Sequence, residues 1–165
     1  MGERLVSVLV LLSALGSGLV AGIFFAFSTF VMAALARLPA AQGAAAMQSI
    51  NIVVINPIFL GVFLGTAVLC LVVAAGALVG WAGPQPALVL AGAALYVVGT
   101  VAVTMMFNVP LNDALAPLDP NSTEAAAVWT RYVGRWTAWN HVRTAAALLA
   151  AACFTLAWRW PVTTA

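Results

Sequence analysis

The sequence has very little charge. Of its 165 residues only 6% are charged, whereas 65% are hydrophobic. A soluble domain carries about 25% charged residues, so this chain has too little polar surface to cover a water-exposed globule. Lysine is absent, and the arginines are scattered rather than clustered. Without a basic patch that could follow a phosphate backbone, nucleic acid is excluded as an expected partner.

Side chains that bind metals or cofactors are also scarce. One histidine and four acidic residues supply too few ligands for a metal site. Cys70 and Cys153 each lie midway in an apolar run, where cysteine is typically a small packing residue. A haem held by Met105 or Met106 together with His141 is the one cofactor alternative. Because the glycines lie inside apolar runs and form no phosphate-binding loop, we predict no metal and no cofactor.

Long apolar runs are what the sequence does contain. Runs of roughly 18 or more uncharged residues are typical of membrane spans. We predict four spans at about 5–35, 50–79, 87–107 and 122–160, with the first part of the last helix at the membrane surface. The first run is too long for a cleaved signal peptide. The chain is thus predicted to be one transmembrane domain, 1–165, with an all-α fold: an integral membrane antiparallel four-helix bundle.

The segments between the runs indicate short connections. Residues 38–49 are less apolar and predict a first loop with a short surface helix, and residues 81–86 predict a tight turn. The absence of lysine in an Ala- and Val-rich chain is typical of a GC-rich bacterial genome. We therefore expect a multi-pass protein of a bacterial inner membrane, with the lipid bilayer as its surroundings.

Polar side chains are concentrated at one end of the predicted bundle. In an antiparallel bundle the ends of spans one and three share a leaflet with the starts of spans two and four. Polar groups at membrane depth are costly, so they usually face a cavity or each other. The polar residues at this end are Ser28, Thr29, Asn51, Asn56, Asn108, Asn112, Asn140, His141 and Arg143; a stripe along span three recurs every four residues at Gly92, Tyr96, Thr100, Thr104, Asn108 and Asn112.

One face of the last span combines aromatic rings with an amide and a guanidinium. At ~100° per residue, its members fall within about 60° of Arg143. Such a face suits a flat aromatic ligand, because rings stack and arginine binds a phenolate or carboxylate. The alternative is an interfacial aromatic belt with a snorkelling arginine. Together with the asparagines of other spans, the face predicts a ligand pocket; its members are Trp129, Tyr132, Trp136, Trp139, Asn140 and Arg143.

His141 is the only histidine and the obvious candidate for a general base. On an ideal helix it points about 160° away from Arg143. It cannot share a narrow pocket with that arginine unless the helix is distorted or the site spans two grooves. A catalytic role and a structural role at the headgroup level both remain open.

Two segments resemble the signature of the anthrone oxygenase-like family of small four-span membrane proteins. They are Asn108-Val109-Pro110-Leu111-Asn112 and Trp136-Thr137-Ala138-Trp139-Asn140-His141-Val142-Arg143. The resemblance implies a monooxygenase-type oxidoreductase that oxidises a polycyclic phenol or an anthrone, a small apolar aromatic substrate, with O₂ and without metal or flavin. The predicted catalytic residues are His141, Arg143 and Asn140, and the predicted substrate-binding residues are Asn108, Asn112, Trp136, Trp139 and Asn56.

A non-catalytic binding protein or subunit of a membrane complex is the competing hypothesis. Small residues at spacing four let helix backbones approach closely, which permits packing against a partner or a second copy of the chain. A transporter is the least favoured alternative, because paired intramembrane acids and an internal repeat are lacking. The small-residue ladders are Ala14, Gly18, Gly22 and Ala26 in span one and Gly61 and Gly65 in span two.

Overall fold

The computed structural model describes residues 2–80 and 85–159, and this part of the chain contains helices and no strand. Four helices are long and apolar enough to cross a membrane: α1 (Arg4–Leu35), α3 (Pro57–Leu78), α4 (Pro86–Leu115) and α5 (Thr123–Arg159). A shorter helix, α2 (Ala40–Val53), links α1 to α3. Most of the predicted turn at 81–86, and residue 160 of the last predicted span, lie outside the described residues.

The long helices form an up-and-down bundle. α1 packs along α5 and α3, α3 packs on α4, and α4 packs on α5, so the four helices close into a ring. Their apolar residues make one core that runs through the bundle. The prediction of an all-α membrane helical bundle is confirmed.

The closest helix contacts occur at glycines outside the predicted small-residue ladders. A Cβ added to Gly99 of α4 would lie 2.6 Å from the Cβ of Ala146 on α5, so only glycine permits this approach. At Gly16 of α1, an added Cβ would overlap the Thr66 hydroxyl of α3. By contrast, Gly22, Gly61 and Gly65 have nothing within 4 Å of an added Cβ. These three ladder positions are open surface rather than packing contacts within the chain.

The second predicted span is two helices, because the chain breaks at residues 54–56. Asn56 has an extended backbone (φ −125°, ψ 158°), and its Oδ1 accepts hydrogen bonds from the backbone N–H of Ile58 and Phe59. Pro57 then occupies the start of α3, where its missing N–H removes no helical bond. The membrane-length helix therefore begins at Pro57 rather than near residue 50.

The third span is longer than predicted. It was expected to end near residue 107, but α4 continues through Pro110 to Leu115. The helix accommodates Pro110 directly after a π-helical segment, Thr104–Asn108.

The length of α3 fixes the depth of the other elements. Its 22 residues make ~33 Å, which matches the ~30 Å hydrocarbon layer. Phe63 lies about six residues into α3, hence ~9 Å deep, and packs against Phe24 of α1 with ring centroids 6.3 Å apart. With α3 upright in the bilayer, we therefore expect the residues that follow Phe24 by more than two turns to lie at the headgroup level, together with α2 and the first turns of α5.

α2 covers the polar end of the bundle. The Gln48 side-chain amide donates to the backbone carbonyls of Leu115 and Leu118, both at 2.9 Å, which ties α2 to the end of α4. Gly43 lets α2 approach the Trp129 ring, since an added Cβ would lie 2.8 Å from it. A second buried cluster forms beneath, made of Met32, Ala44, Met47, Leu115, Trp129, Tyr132 and Trp136.

Candidate functional site at the polar end

Arg143 is buried between helices, with only 4% of its surface exposed. Its Nη2 donates to Asn140 Oδ1 at 2.6 Å and its Nη1 donates to Thr104 Oγ1 at 3.1 Å. The guanidinium carbon lies 4.1 Å from the centre of the Phe24 ring and 5.0 Å from that of Trp136. The Nε atom is buried without a hydrogen-bond partner. A cation is thus held by neutral dipoles and aromatic faces.

No described carboxylate compensates this charge. Asp113, Asp119 and Glu124 are all exposed, and the hydrogen-bond partners of Arg143 among the described residues are neutral. Burying an ion at membrane depth costs several kcal/mol when no counterion repays it. Ionisable residues at membrane depth almost always face the bundle interior or a cavity, and they often mark a functional site.

A chain of hydrogen bonds links the Arg143 guanidinium through Asn140 to α1. Asn140 Nδ2 donates to Ser28 Oγ and to the Phe24 carbonyl, both at 2.7 Å. Thr144 Oγ1 donates to the Asn140 carbonyl at 2.8 Å and lies 3.0 Å from Ser28 Oγ, where either hydroxyl can be the donor. One amide therefore separates the guanidinium from the Ser28 hydroxyl.

Ser28 opens onto a groove between α1 and α5. The groove has a volume of about 340 Å³. His141, whose side chain is exposed, lies on its wall. His141 and Arg143 therefore occupy different faces of α5, as their angular separation indicated. The lining residues are Ser28, Met32, Ala33 and Ala36 of α1 and Val133, Gly134, Thr137, Ala138 and His141 of α5.

The aromatic face of α5 is filled by protein. Tyr132 stacks on Trp129 and on Trp136, with centroids 5.6 Å and 6.3 Å apart, and all three rings are buried beneath α2. Trp139 stacks on Phe107 at 3.7 Å. The rings expected to stack on a ligand stack on one another in this structure, and the ligand-binding role of this face stays a prediction. The sequence pattern located the face but not the helix that covers it.

The asparagines predicted to bind substrate have hydrogen-bond partners within the protein. Asn112 Oδ1 accepts from the Tyr132 hydroxyl at 2.7 Å and from Trp136 Nε1 at 2.9 Å. Asn108 is buried and donates to the Trp136 carbonyl at 3.2 Å, while its Oδ1 has no partner. Asn56 caps α3 and also donates to the Val53 carbonyl. None of these three residues, nor Trp136 or Trp139, lines the groove.

Sequence reasoning named His141 but missed the other residues of the α5 face that lines the groove. Val133, Gly134, Thr137, Ala138 and His141 recur at spacings of three and four, which places them on one helix face. This signal was present in the sequence, but small residues on a helix face ordinarily indicate packing. The described residues contain no group of three or more His, Cys, Asp or Glu side chains that could hold a metal ion.

Fold and site together define a four-helix integral membrane protein with a buried cation and a polar groove at one end. Residues 58–153 match the family model described as "Anthrone oxygenase", and the chain belongs to this family. The match covers α3, α4 and most of α5, and it includes Asn108, Asn112, Asn140, His141 and Arg143. No curated protein and no solved structure matches the chain.

Proposed function

We propose that this protein is an oxygenase that oxidises a polycyclic phenol or anthrone-like substrate with O₂ and without a cofactor. The family assignment supports the reaction class. The observation that carries the proposal is the position of His141: it lies on the wall of a groove whose other side holds Ser28, next to the Asn140–Arg143 hydrogen-bond chain. A base and a source of positive potential thus meet at one groove.

The reaction requires removal of one proton from a carbon acid. An anthrone has an acidic benzylic CH₂, because loss of a proton gives an aromatic enolate. His141 accepts this proton as the general base. The carbanion then reduces O₂ and bonds to it, which gives a carbon-bound peroxide. Protonated His141 returns its proton to the peroxide, and elimination of water leaves the quinone carbonyl, so that CH₂ and O₂ become C=O and H₂O.

Arg143 and Asn140 stabilise the negative charge that develops. They lie behind the wall of the groove and act through the bond from Asn140 to Ser28. Preorganised dipoles in a water-poor site are effective because they need no reorganisation during the reaction. The bilayer in turn concentrates both the apolar substrate and O₂ near the groove.

Oxygen uptake by the purified protein in lipid nanodiscs tests the proposal. With emodin anthrone as substrate, wild type is expected to exceed buffer, and His141→Ala is expected to lower kcat by about 10²-fold or more, the usual contribution of a general base. Val142→Ala, at an adjacent exposed position outside the groove, is the matched control. If His141→Ala matched wild type while both exceeded buffer, His141 would not be the base.

A non-catalytic role in a membrane complex is the second candidate. It is favoured by the internal bonding of Asn112 and Arg143, whose polar groups mostly meet other residues of the chain. The exposed glycine positions of α3 would be available to a partner helix. Co-purification of a stoichiometric partner, with no oxygen uptake on any polycyclic phenol, would favour this candidate.

A further inference from the structure

The outer half of the groove between α1 and α5 is the half nearer the connecting segments of the polar end. Ala33, Ala36 and Gly134 line it and contribute little or no side chain. A Cβ added to Gly134 would meet nothing within 4 Å, so the space above this residue is empty. His141, on the inner half, follows Gly134 by seven residues, ~10 Å along the helix axis. The outer half is therefore a separate space from the surroundings of His141.

This outer half lies at the level of the lipid headgroups. Ala33 and Ala36 follow Phe24 by nine and twelve residues, which is more than two helical turns. All the small residues of the lining are exposed at the bundle surface, so a lipid reaches them sideways from the bilayer. At this depth a neighbouring phospholipid presents its phosphate and glycerol to the groove rather than its acyl chains.

Two exposed arginines flank the outer half, one after α1 and one on α5. Arg37 directly follows Ala36 of the lining. Arg131 precedes Gly134 by three residues and Ala138 by seven, so it lies on their face of α5. Guanidinium groups bind phosphate through paired, charge-assisted hydrogen bonds. Arginines on both sides of one groove are suited to hold a single phosphate between them.

These side chains must supply the attraction for an anion. The carboxyl end of α1, at Leu35, carries a partial negative charge that opposes it. The groove lining contains no carboxylate. Glu124 precedes Arg131 by seven residues, ~10 Å along the helix axis, and the other exposed acids of this end, Asp113 and Asp119, lie in the last turn of α4 and in the connection after it. Positive charge therefore prevails beside the groove.

We propose that the outer half of this groove binds the headgroup of an anionic phospholipid, with Arg37 and Arg131 on its phosphate. The small residues leave room for the glycerol backbone between the helices. Basic pockets between transmembrane helices are typical binding sites for anionic headgroups. A zwitterionic lipid is disfavoured, because its own cation would lie beside the arginines. The site does not depend on the oxygenase reaction.

Native mass spectrometry of the purified full chain in detergent tests the site. Phosphatidylglycerol and phosphatidylcholine with the same acyl chains are added separately, and the Kd of the first bound lipid is measured for each. Wild type is expected to bind phosphatidylglycerol at least about tenfold more tightly, because both arginines favour the anionic lipid. Equal Kd values for the two lipids would overturn the proposal.

Arg37→Gln and Arg131→Gln test the two arginines separately. Each is expected to weaken phosphatidylglycerol binding about fivefold, the equivalent of the ~1 kcal/mol that one arginine contributes at an anionic surface. Arg135→Gln is the matched control, because Arg135 lies one turn before Trp139, on the side of α5 that packs on α4. An exposed charge outside the site is screened, so this control is expected to change Kd less than about twofold. An equal loss in all three variants would mean that the lipid responds to net charge alone, and the site would be wrong.

Gly134→Leu tests the groove without a change of charge. It fills the empty space above this residue and is expected to weaken phosphatidylglycerol binding by at least about tenfold, a change of ~1.4 kcal/mol. Gly61→Leu is its control, because an added Cβ there also meets nothing within 4 Å and the residue lies on α3, outside the groove. Equal melting temperatures establish that both variants are folded. Unchanged binding by Gly134→Leu would exclude the groove as the site.

Inorganic phosphate separates a lipid site from a site for free phosphate. It shares the charged group but has no glycerol or acyl chain to occupy the groove. An excess of it is expected to leave phosphatidylglycerol bound to wild type. Displacement of the lipid by inorganic phosphate would show that the arginines bind free phosphate, and the assignment to a lipid would fail.

Discussion

Replacement of Asn112 by leucine is the sharpest test of how the polar end is built. Asn112 Oδ1 accepts two hydrogen bonds, from the Tyr132 hydroxyl and from Trp136 Nε1. Leucine has a similar size but no acceptor, so both buried donors lose their partner. These two bonds favour a structural role for Asn112, and the substrate-binding role predicted from the sequence is the alternative that the test distinguishes.

The size of the effect follows from the two bonds. In water-soluble proteins each orphaned donor costs about 1–3 kcal/mol. In membrane proteins the measured coupling is smaller, about 0.6 kcal/mol on average and up to about 1.7, because the unfolded chain in the membrane also finds partners. The membrane values are appropriate here, and two bonds then give a loss of about 1–3 kcal/mol in the free energy of unfolding.

Reversible denaturation in mixed micelles measures this loss, and a double-mutant cycle assigns it. Tyr132→Phe removes one donor, so adding it to Asn112→Leu is expected to cost less than it does in wild type. The reasoning would be refuted if Asn112→Leu changed stability by less than about 0.5 kcal/mol, the usual limit of additivity. A raised KM with unchanged stability would instead restore the substrate-binding role.

Three further predictions concern single positions. Asn56→Ala is expected to lower unfolding free energy by about 1 kcal/mol through loss of the α3 cap, without change in KM for oxygen uptake; a change in KM alone would contradict the capping role. Gly99→Leu is expected to lower the melting temperature in nanodiscs, because a Cβ there would lie 2.6 Å from that of Ala146, whereas Gly61→Leu is tolerated. Arg143→Met is expected to abolish most oxygen uptake. Its unfolding free energy is expected to change by less than about 2 kcal/mol, because the loss of hydrogen bonds and the relief of desolvation oppose each other. A large loss of stability would mark this arginine as structural.

Much of the fold could be predicted from the sequence. Runs of apolar residues without charge determine membrane helices, because an unpaired backbone or charged group in lipid is too costly for other structures. The break at Asn56 was harder to foresee, since it depends on a cap and a proline inside an otherwise apolar run. The extension of α4 past Pro110 was missed because proline ordinarily favours the end of a helix.

The candidate site could be predicted only in part. The concentration of amides, His141 and Arg143 at one end follows from the alternating direction of the spans. Helical angles also separated His141 from Arg143, and the structure places them on different faces of α5. The angles could not tell which face of α5 is covered, because this depends on where α2 packs.

The sequence by itself determined the membrane class, the four long helices and the end at which polar groups gather, since these depend on local apolar length and helical period. The tertiary structure alone decided which polar groups meet. It closed the tryptophan face under α2, gave Asn112 two partners within the chain and placed His141 and Ser28 on one groove. The physical reason is that a polar group finds its hydrogen-bond partners on neighbouring helices. The apolar periodicity of one helix does not specify which residues of another helix will lie beside it.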